Sequence, residues 1–280
     1  MKSALRRLSK TIADSPVIAA MLTIAVAAAA AVLTPPVQAK EATMSKPTIL
    51  LVHGAFAESA SWNGVMKRLL AKGYPVVAVA NPLRSVKGDA GYLDSVVESV
   101  NGPVILVGHS YGGNVISNAT TASGKIKALV YVAGVAPEPG ESASSLGAKF
   151  PTGTLGPSLA PPVPLADGSK DLYIQLDKYP NQFAADVPVA EAKLMAAAQR
   201  PVTEAALNDP SVTAAWKTIP SWFIYGSLDK NIPAALHAFM AKRAGARKTI
   251  AVEGASHVVM ISHPDAVAKL IEEAAAESTN

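Results

Sequence analysis

Short apolar segments that alternate with segments of helical periodicity constrain the fold of this chain more than any other feature of its sequence. Four such apolar segments occupy residues 48–52, 75–80, 104–107 and 126–133. Runs without polar positions are typical of strands that are buried on both faces of a sheet. Between the first two runs, Trp62, Val65, Met66 and Leu69 recur at three- and four-residue intervals, as on one face of a helix. The alternation predicts an α/β fold, with a parallel sheet covered by helices on both faces.

The same pattern returns near the end of the chain. Apolar segments at residues 221–225 and 248–252 flank a helix whose predicted inner face holds Leu236, Phe239 and Met240. These two segments add two strands to the four found earlier. We therefore expect a mainly parallel sheet of about six strands.

Residues 135–218 interrupt the alternation. They are rich in proline, glycine and alanine, and residues 191–199 have a helical pattern. A structureless loop of this length is unusual in a compact domain unless it forms a lid. We therefore expect a partly helical cap at residues 135–218, inserted between core segments at residues 40–134 and 219–280.

The first 39 residues have the pattern of a secretory signal peptide. Basic residues come first, an apolar run follows at residues 17–33, and Val37 and Ala39 would occupy the −3 and −1 positions of the cleavage site. Cleavage would export the protein to the periplasm or out of the cell and leave it without stable membrane association. An uncleaved inner-membrane anchor is the less favoured alternative, because the run is only as long as the shortest spanning helices, ~17 residues, and is rich in alanine.

The charge balance of the remaining chain argues against nucleic-acid binding. The chain has 25 basic and 21 acidic residues, of which residues 1–39 hold four and one, so the rest has a net charge of +1. A nucleic-acid-binding protein needs a basic patch on its folded part. Cysteine is absent, and neither a phosphate-loop lysine after Gly112-Gly113 nor an H-E-x-x-H motif occurs. No cofactor or metal is expected, and the oligomeric state is left open.

A serine motif follows the third apolar segment. Residues 108–112 read Gly-His-Ser-Tyr-Gly and fit the G-x-S-x-G pattern of a nucleophile elbow. Because the match lies between a predicted strand and a helical pattern, a sharp turn there would lift the hydroxyl of Ser110 above the edge of the sheet. The glycines leave room for such a turn. Ser110 is therefore the candidate nucleophile.

A serine hydroxyl needs a base, and His257 is the candidate base among the five histidines. It follows the last predicted strand, at the edge of a parallel sheet where ligands bind. His53 and His109 belong to glycine-containing turns and are expected to be structural. His237 is expected on an exposed helix face, and His263 at the entry of the last helix.

Asp229 follows the strand predicted at residues 221–225 and is the candidate acid that orients His257. The order Ser110, Asp229, His257 is the one expected of chains with this elbow. Asp209 and Asp265 are weaker candidates, since the first lies in the predicted cap and the second in the first turn of a helix.

An oxyanion hole needs two backbone N–H groups that point at the developing negative charge. One is expected from Tyr111, directly after the candidate nucleophile. The other is expected from the turn after the first strand, where Ala55 is the first choice and Phe56 the second.

Four segments together resemble those of α/β-hydrolases over almost the whole chain after residue 39. They are HGAFAESASW (53–62), GHSYGG (108–113), YGSLDKNIP (225–233) and EGASHVVMISHP (253–264). The likeness is to small bacterial lidded serine esterases and, more distantly, to plant methyl-ester esterases and hydroxynitrile lyases. It implies the α/β-hydrolase fold and cofactor-free ester hydrolysis. One departure is that only residues 40–47 precede the first strand, where family members often carry two more strands.

The resemblance and the residues together predict a serine esterase acting on small, apolar carboxylic esters. Its substrate pocket is expected to be built from Phe56, Trp62, Tyr173 and Phe183. The alternatives are a hydroxynitrile-lyase-like activity that uses Lys230, a cofactor-free perhydrolase, or a non-catalytic binding protein of the same fold.

Overall fold

The computed structural model describes residues 46–120, 124–150 and 152–278. The predicted signal peptide at residues 1–39 lies outside these ranges. Among the helices within them, none combines the length and the apolar character that crossing a lipid bilayer requires.

The first part of the chain alternates strands and helices, as its periodicity predicts. The elements are β1 (Thr48–Val52), α1 (Asn63–Ala71), β2 (Val76–Val79), α2 (Val86–Ser99), β3 (Val104–His109), α3 (Tyr111–Ser117) and β4 (Ile126–Val132). Every residue of β1 and β3 is buried, because protein packs against both faces of these strands. Helix α1 packs against the last helix of the chain, and α2 packs against α3.

The segment at residues 135–218, predicted to be a partly helical cap, contains short helices and a small second sheet. Its elements are α4 (Ala143–Lys149), β5 (Val163–Pro164), β6 (Lys170–Leu172), α5 (Tyr179–Phe183), α6 (Val189–Ala198), β7 (Val202–Thr203) and α7 (Glu204–Asn208). The three strands pair antiparallel in the order β5-β6-β7. Strands of two or three residues are too short to leave a period-two pattern in the sequence, so this sheet was not predicted.

The last part of the chain completes the main sheet. It consists of β8 (Ser221–Gly226), α8 (Ala234–Arg243), β9 (Lys248–Val252), α9 (Val259–Ser262) and α10 (Pro264–Ser278). The main sheet has six strands in the order β2-β1-β3-β4-β8-β9, and all its pairings are parallel. The prediction of an α/β fold with about six mainly parallel strands is confirmed. Parallel strands place the carboxyl ends of β1, β3 and β8 at the same edge of the sheet.

The orientation of α8 differs from the prediction at two positions. His237 is fully buried, together with Leu236 and Met240, whereas Phe239 is 40% exposed. Phe239 lies on the outer side of the helix, between the ring of Phe150 and the guanidinium of Arg243. The predictions that His237 is exposed and that Phe239 lies inside are therefore wrong.

Candidate active site

Ser110 occupies the turn between β3 and α3 with an unusual backbone conformation. Its φ is 52° and its ψ is −123°, a region that residues other than glycine rarely adopt. The carbonyl oxygen of Ser110 accepts hydrogen bonds from the N–H groups of Gly113 and Val135, at 2.9 and 3.0 Å. These contacts hold the turn in a conformation that costs on the order of 1–3 kcal/mol.

The backbone approaches this turn so closely that two neighbouring positions require glycine. A Cβ at Gly54 would lie 2.5 Å from the Cβ of Ser110, and a Cβ at Gly112 would lie 2.4 Å from the carbonyl oxygen of Val52. Real Cβ atoms do not approach other atoms so closely. The bare backbone of Gly54 therefore brings the turn after β1 against the candidate nucleophile.

His257 and Asp229 form a buried hydrogen-bonded pair. The Nδ1 atom of His257 lies 2.6 Å from Oδ2 of Asp229, and both side chains are almost fully buried. The other carboxylate oxygen, Oδ1, accepts hydrogen bonds from the N–H groups of Asn231 and Ile232, at 2.8 and 3.0 Å. The Nε2 atom of His257 has no hydrogen-bond partner among the described residues. This nitrogen is therefore available to a substrate or to a hydroxyl group.

A second histidine, which was not predicted to take part in the site, contacts the same carboxylate. The Nε2 atom of His237 lies 3.1 Å from Oδ2 of Asp229, and its ring stacks on Tyr225 with the centroids 4.8 Å apart. Burial lowers the pKa of His237, so its ring is neutral and the Nε2–H group donates to the carboxylate. Burial alone would raise the pKa of Asp229, but His257 and His237 together hold that pKa well below its usual range.

The two candidate donors of the second oxyanion-hole group differ in their hydrogen bonds. The N–H group of Phe56 donates to the carbonyl oxygen of Arg200 at 3.0 Å, so Phe56 is not available as a donor. Within the described residues, no acceptor is found for the N–H groups of Ala55 and Tyr111. Of the three predicted residues, Ala55 and Tyr111 thus keep N–H groups that are free to bind an oxyanion. The prediction of Phe56 as an alternative donor is corrected.

A cavity of about 220 Å³ is lined by Ser110, His257, Ala55 and Tyr111. The rest of its wall is mostly apolar and includes Phe56, Phe150, Phe183, Leu146, Leu155 and Ile232. An apolar wall with few polar groups is typical of sites for small molecules.

Two of the four predicted pocket residues, Trp62 and Tyr173, do not line this cavity. Trp62 is fully buried and packs edge-on against the ring of His109, with the centroids 6.4 Å apart. Tyr173 follows β6 and is half-buried, and its carbonyl oxygen accepts a hydrogen bond from Ala160. The prediction for both residues is corrected: Trp62 belongs to the hydrophobic core, as aromatic residues in an apolar pattern often do, and Tyr173 lies next to β6 and not on the cavity wall. Phe56 and Phe183 do line the cavity.

The histidines that were expected to be structural bind to the backbone. The Nε2 atom of His53 accepts from the N–H group of Asn81 at 3.1 Å, and burial lowers the pKa of His53 to about 4. The ring of His109 lies beside that of His257, with its Nε2 atom 3.2 Å from the carbonyl oxygen of His257. Both rings therefore support the loops around the candidate site.

The alternative residues lie elsewhere. Asp265 pairs with Arg68 on the surface, and Asp209 accepts a hydrogen bond from the N–H group of Val86. The Nζ atom of Lys230 donates to Asn181, to its carbonyl oxygen at 3.0 Å and to its side chain at 2.8 Å. None of these side chains lines the cavity that contains Ser110.

The six-stranded parallel sheet and the strand–turn–helix around Ser110 define an α/β hydrolase. The chain belongs to the alpha/beta hydrolase family, whose model matches residues 49–270. It is 28% identical over 258 residues to alpha/beta hydrolase nvfD of Aspergillus novofumigatus (strain IBT 16806), a match that covers 84% of this chain and 99% of that protein.

Solved structures show the same fold. The chain superposes on polyneuridine aldehyde esterase with a TM-score of 0.71 and 19% identity, over 81% of this chain and 98% of the other. It superposes on a pyrethroid hydrolase from Sphingobium faniae JZ-2 with a TM-score of 0.65 and 23% identity, over 82% and 97% of the two chains. At such identities the likeness concerns the fold.

Proposed function

We propose that this protein is a serine esterase that hydrolyses carboxylic esters of small, mainly apolar molecules. The observation that carries the proposal is the hydrogen-bonded pair of His257 and Asp229, whose Nδ1 and Oδ2 atoms lie 2.6 Å apart. The Nε2 atom of His257 has no partner among the described residues, and His257 lines the same cavity as Ser110. A buried carboxylate that orients a histidine beside a serine is the arrangement that activates a hydroxyl group.

In the proposed reaction, the Oγ atom of Ser110 attacks the ester carbonyl carbon while its proton passes to Nε2 of His257. The N–H groups of Ala55 and Tyr111 donate to the oxyanion of the tetrahedral intermediate. Collapse of the intermediate breaks the bond to the alcohol, which takes the proton from His257. Water, deprotonated by His257, then attacks the acyl-enzyme, and the carboxylic acid leaves with Ser110 restored.

The cavity supports the choice of substrate class. A volume of about 220 Å³ fits a small acyl or alcohol group, and the rings of Phe56 and Phe183 offer apolar contact. Two of the structural neighbours are named as an esterase and a pyrethroid hydrolase. A lyase-like reaction is not favoured, because the Nζ atom of Lys230 is bound to Asn181 outside the cavity wall.

The test is the hydrolysis of p-nitrophenyl acetate, butyrate and octanoate by the protein and by Ser110→Ala. We expect the variant to lose at least about 10⁴-fold in kcat with its thermal midpoint preserved. Ser95→Ala, an exposed serine on α2, is the matched control and keeps full activity. A fluorophosphonate probe should label the protein and Ser95→Ala but not Ser110→Ala. Turnover retained in Ser110→Ala would contradict the proposal.

We also infer export, from the signal-peptide pattern of residues 1–39. Intact-mass measurement of the protein from its expressing cells should then give a mature chain that begins at Lys40. A full-length chain in the membrane fraction would instead support the uncleaved anchor.

A further inference from the structure

The side-chain amide of Asn231 is an unpaired hydrogen-bond donor on the wall of the active-site cavity. Asn231 follows Asp229 by two residues, and its own backbone N–H group donates to that carboxylate. Asn231 is one of the residues that line the cavity, together with Ser110 and His257. The Nδ2 atom is buried and has no hydrogen-bond partner among the described residues.

The orientation of this amide is determined by Gln182 of α5. The Nε2 atom of Gln182 donates to the carbonyl oxygen of Lys230 at 3.2 Å and to Oδ1 of Asn231 at 2.8 Å. Its Oε1 atom accepts from the hydroxyl groups of Thr154 and Ser158, at 2.9 and 3.1 Å. Because a carbonyl oxygen can only accept, these contacts identify Nε2 of Gln182 as the donor. The oxygen of Asn231 is therefore the atom that is occupied, and its NH₂ group is the atom left free.

Few other polar side chains line this cavity outside the proposed catalytic machinery. Ser144 is exposed, and the hydroxyl group of Tyr111 donates to Asp89 at 2.8 Å. A buried donor without an acceptor is unfavourable unless a ligand supplies one. The amide is thus the group best placed to recognise a polar atom of a substrate.

We propose that Nδ2 of Asn231 donates a hydrogen bond to a second oxygen atom of the substrate. This proposal rests on the proposed esterase function and narrows its substrate class. The preferred esters carry a ketone, ether or hydroxyl oxygen in addition to the ester group. Sites that hydrogen-bond a polar substrate atom reject analogues that lack it, because the site's own group is then left unpaired.

The test compares matched ester pairs that differ in one oxygen. On the acyl side the pair is ethyl 3-oxobutanoate and ethyl 3-methylbutanoate, and on the alcohol side it is 2-methoxyethyl butanoate and butyl butanoate. The ratio of kcat/KM within each pair is measured for the protein and for Asn231→Leu, which keeps the size of the side chain and removes its donor. The difference in intrinsic reactivity between the two esters of a pair does not depend on the protein. A change in the ratio therefore reports the substitution at position 231.

We expect Asn231→Leu to lower the ratio about 3- to 10-fold in one of the two pairs, and that pair identifies the side of the ester that carries the oxygen. Asn208→Leu, the same change on the exposed surface of α7, should leave both ratios unchanged. If Asn231→Leu does not fold, as judged by its thermal midpoint, Asn231→Ala replaces it. Unchanged ratios in both pairs, in a variant that still hydrolyses the apolar esters, would overturn the proposal. Absence of hydrolysis by the unmodified protein would instead count against the esterase function itself.

Discussion

The Nε2 atom of His237 lies 3.1 Å from the oxygen of Asp229 that is also bound by His257. One carboxylate oxygen thus accepts from two buried imidazole rings, while the other accepts from two backbone N–H groups. Both oxygen atoms of the Asp229 carboxylate therefore accept two hydrogen bonds from the described residues. The carboxylate thus contacts both the histidine that would act on the substrate and a histidine that does not line the cavity.

Replacing His237 by leucine should move the pH profile of the reaction. His237 is one of the two residues that hold the pKa of Asp229 below its usual range, so that pKa should rise when the donor at position 237 is lost. We expect the acid limb of kcat/KM to move to higher pH, because the Asp229 carboxylate then takes up a proton more readily. We also expect kcat to fall by roughly tenfold, because the pair loses part of its orientation.

The matched variant is His237→Gln, which can again place an N–H group near Asp229. It should restore most of kcat and the position of the acid limb. A role of His237 in packing alone predicts equal losses in both variants and an acid limb that stays in place.

The stability of the protein should depend on three buried histidines, His53, His109 and His237. Burial lowers the pKa of each, that of His53 to about 4, whereas histidine in an unfolded chain titrates near 6.5. Below about pH 6.5 the unfolded state binds more protons than the folded state. Stability is therefore fully present above pH 6.5 and falls as the pH decreases. The share of His53 is about 1.4 kcal/mol per pH unit between its unfolded pKa near 6.5 and its folded pKa of about 4.

Urea unfolding between pH 4.5 and 7.5 measures this dependence. In His53→Gln, the slope of the free energy of unfolding against pH should decrease by the equivalent of about one proton. Glutamine can accept the hydrogen bond from the N–H group of Asn81 but does not titrate. A free energy of unfolding that does not change between pH 4.5 and 6.5 would show that these rings are not kept neutral by the fold.

Adding one methyl group at Gly54 should damage the proposed chemistry. In Gly54→Ala the new Cβ would lie 2.5 Å from the Cβ of Ser110, so the turn after β1 or the elbow has to shift. We expect kcat/KM to fall by about 100-fold or more and stability to fall by about 1–3 kcal/mol.

Gly91→Ala is the control for that change. Gly91 lies in α2, and a Cβ there would meet no atom within 4 Å. Alanine should raise stability by about 0.5–1 kcal/mol and leave kcat/KM as it was. Similar kinetics in both alanine variants would contradict the close contact at the elbow.

Trp62 and Phe183 should respond differently to truncation, because only Phe183 lines the cavity. Trp62→Phe leaves a space in the core next to His109 and should lower stability by about 1–2 kcal/mol, with KM for p-nitrophenyl butyrate changed less than twofold. Phe183→Leu should change KM severalfold, since it alters the wall that contacts the substrate. Thermal unfolding and steady-state kinetics on the two variants decide between these expectations, and a larger KM effect at Trp62 would reverse the assignment.

The sequence predicts the core well because its strands are buried on both faces and its helices repeat their apolar positions. It also indicates Ser110, Asp229 and His257, since each lies within a few residues after a strand whose carboxyl end lies at one edge of the sheet. The contact of His237 with Asp229 was missed, although Leu236, His237 and Met240 have the spacing of one helix face. Hydropathy favoured Phe239 for the inner face, and a polar residue at its border gives an ambiguous signal.

The contacts of the segment at residues 135–218 could not be predicted in the same way. The hydrogen bond between Gln182 and Asn231 joins residues 49 positions apart, and Gln182 lies in a five-residue helix. So short a helix does not establish a period in the sequence. The position of that amide follows from tertiary packing alone.

The backbone of Ser110 has a consequence for how this position evolves. At a φ of 52° and a ψ of −123°, glycine would be the more comfortable residue, so folding by itself disfavours serine here. If Ser110 is the nucleophile of the proposed reaction, then selection for activity, and not selection for a stable fold, retains the hydroxyl group. A lineage that no longer needed the reaction would be expected to drift towards glycine at position 110, and its protein would become more stable as it became inert.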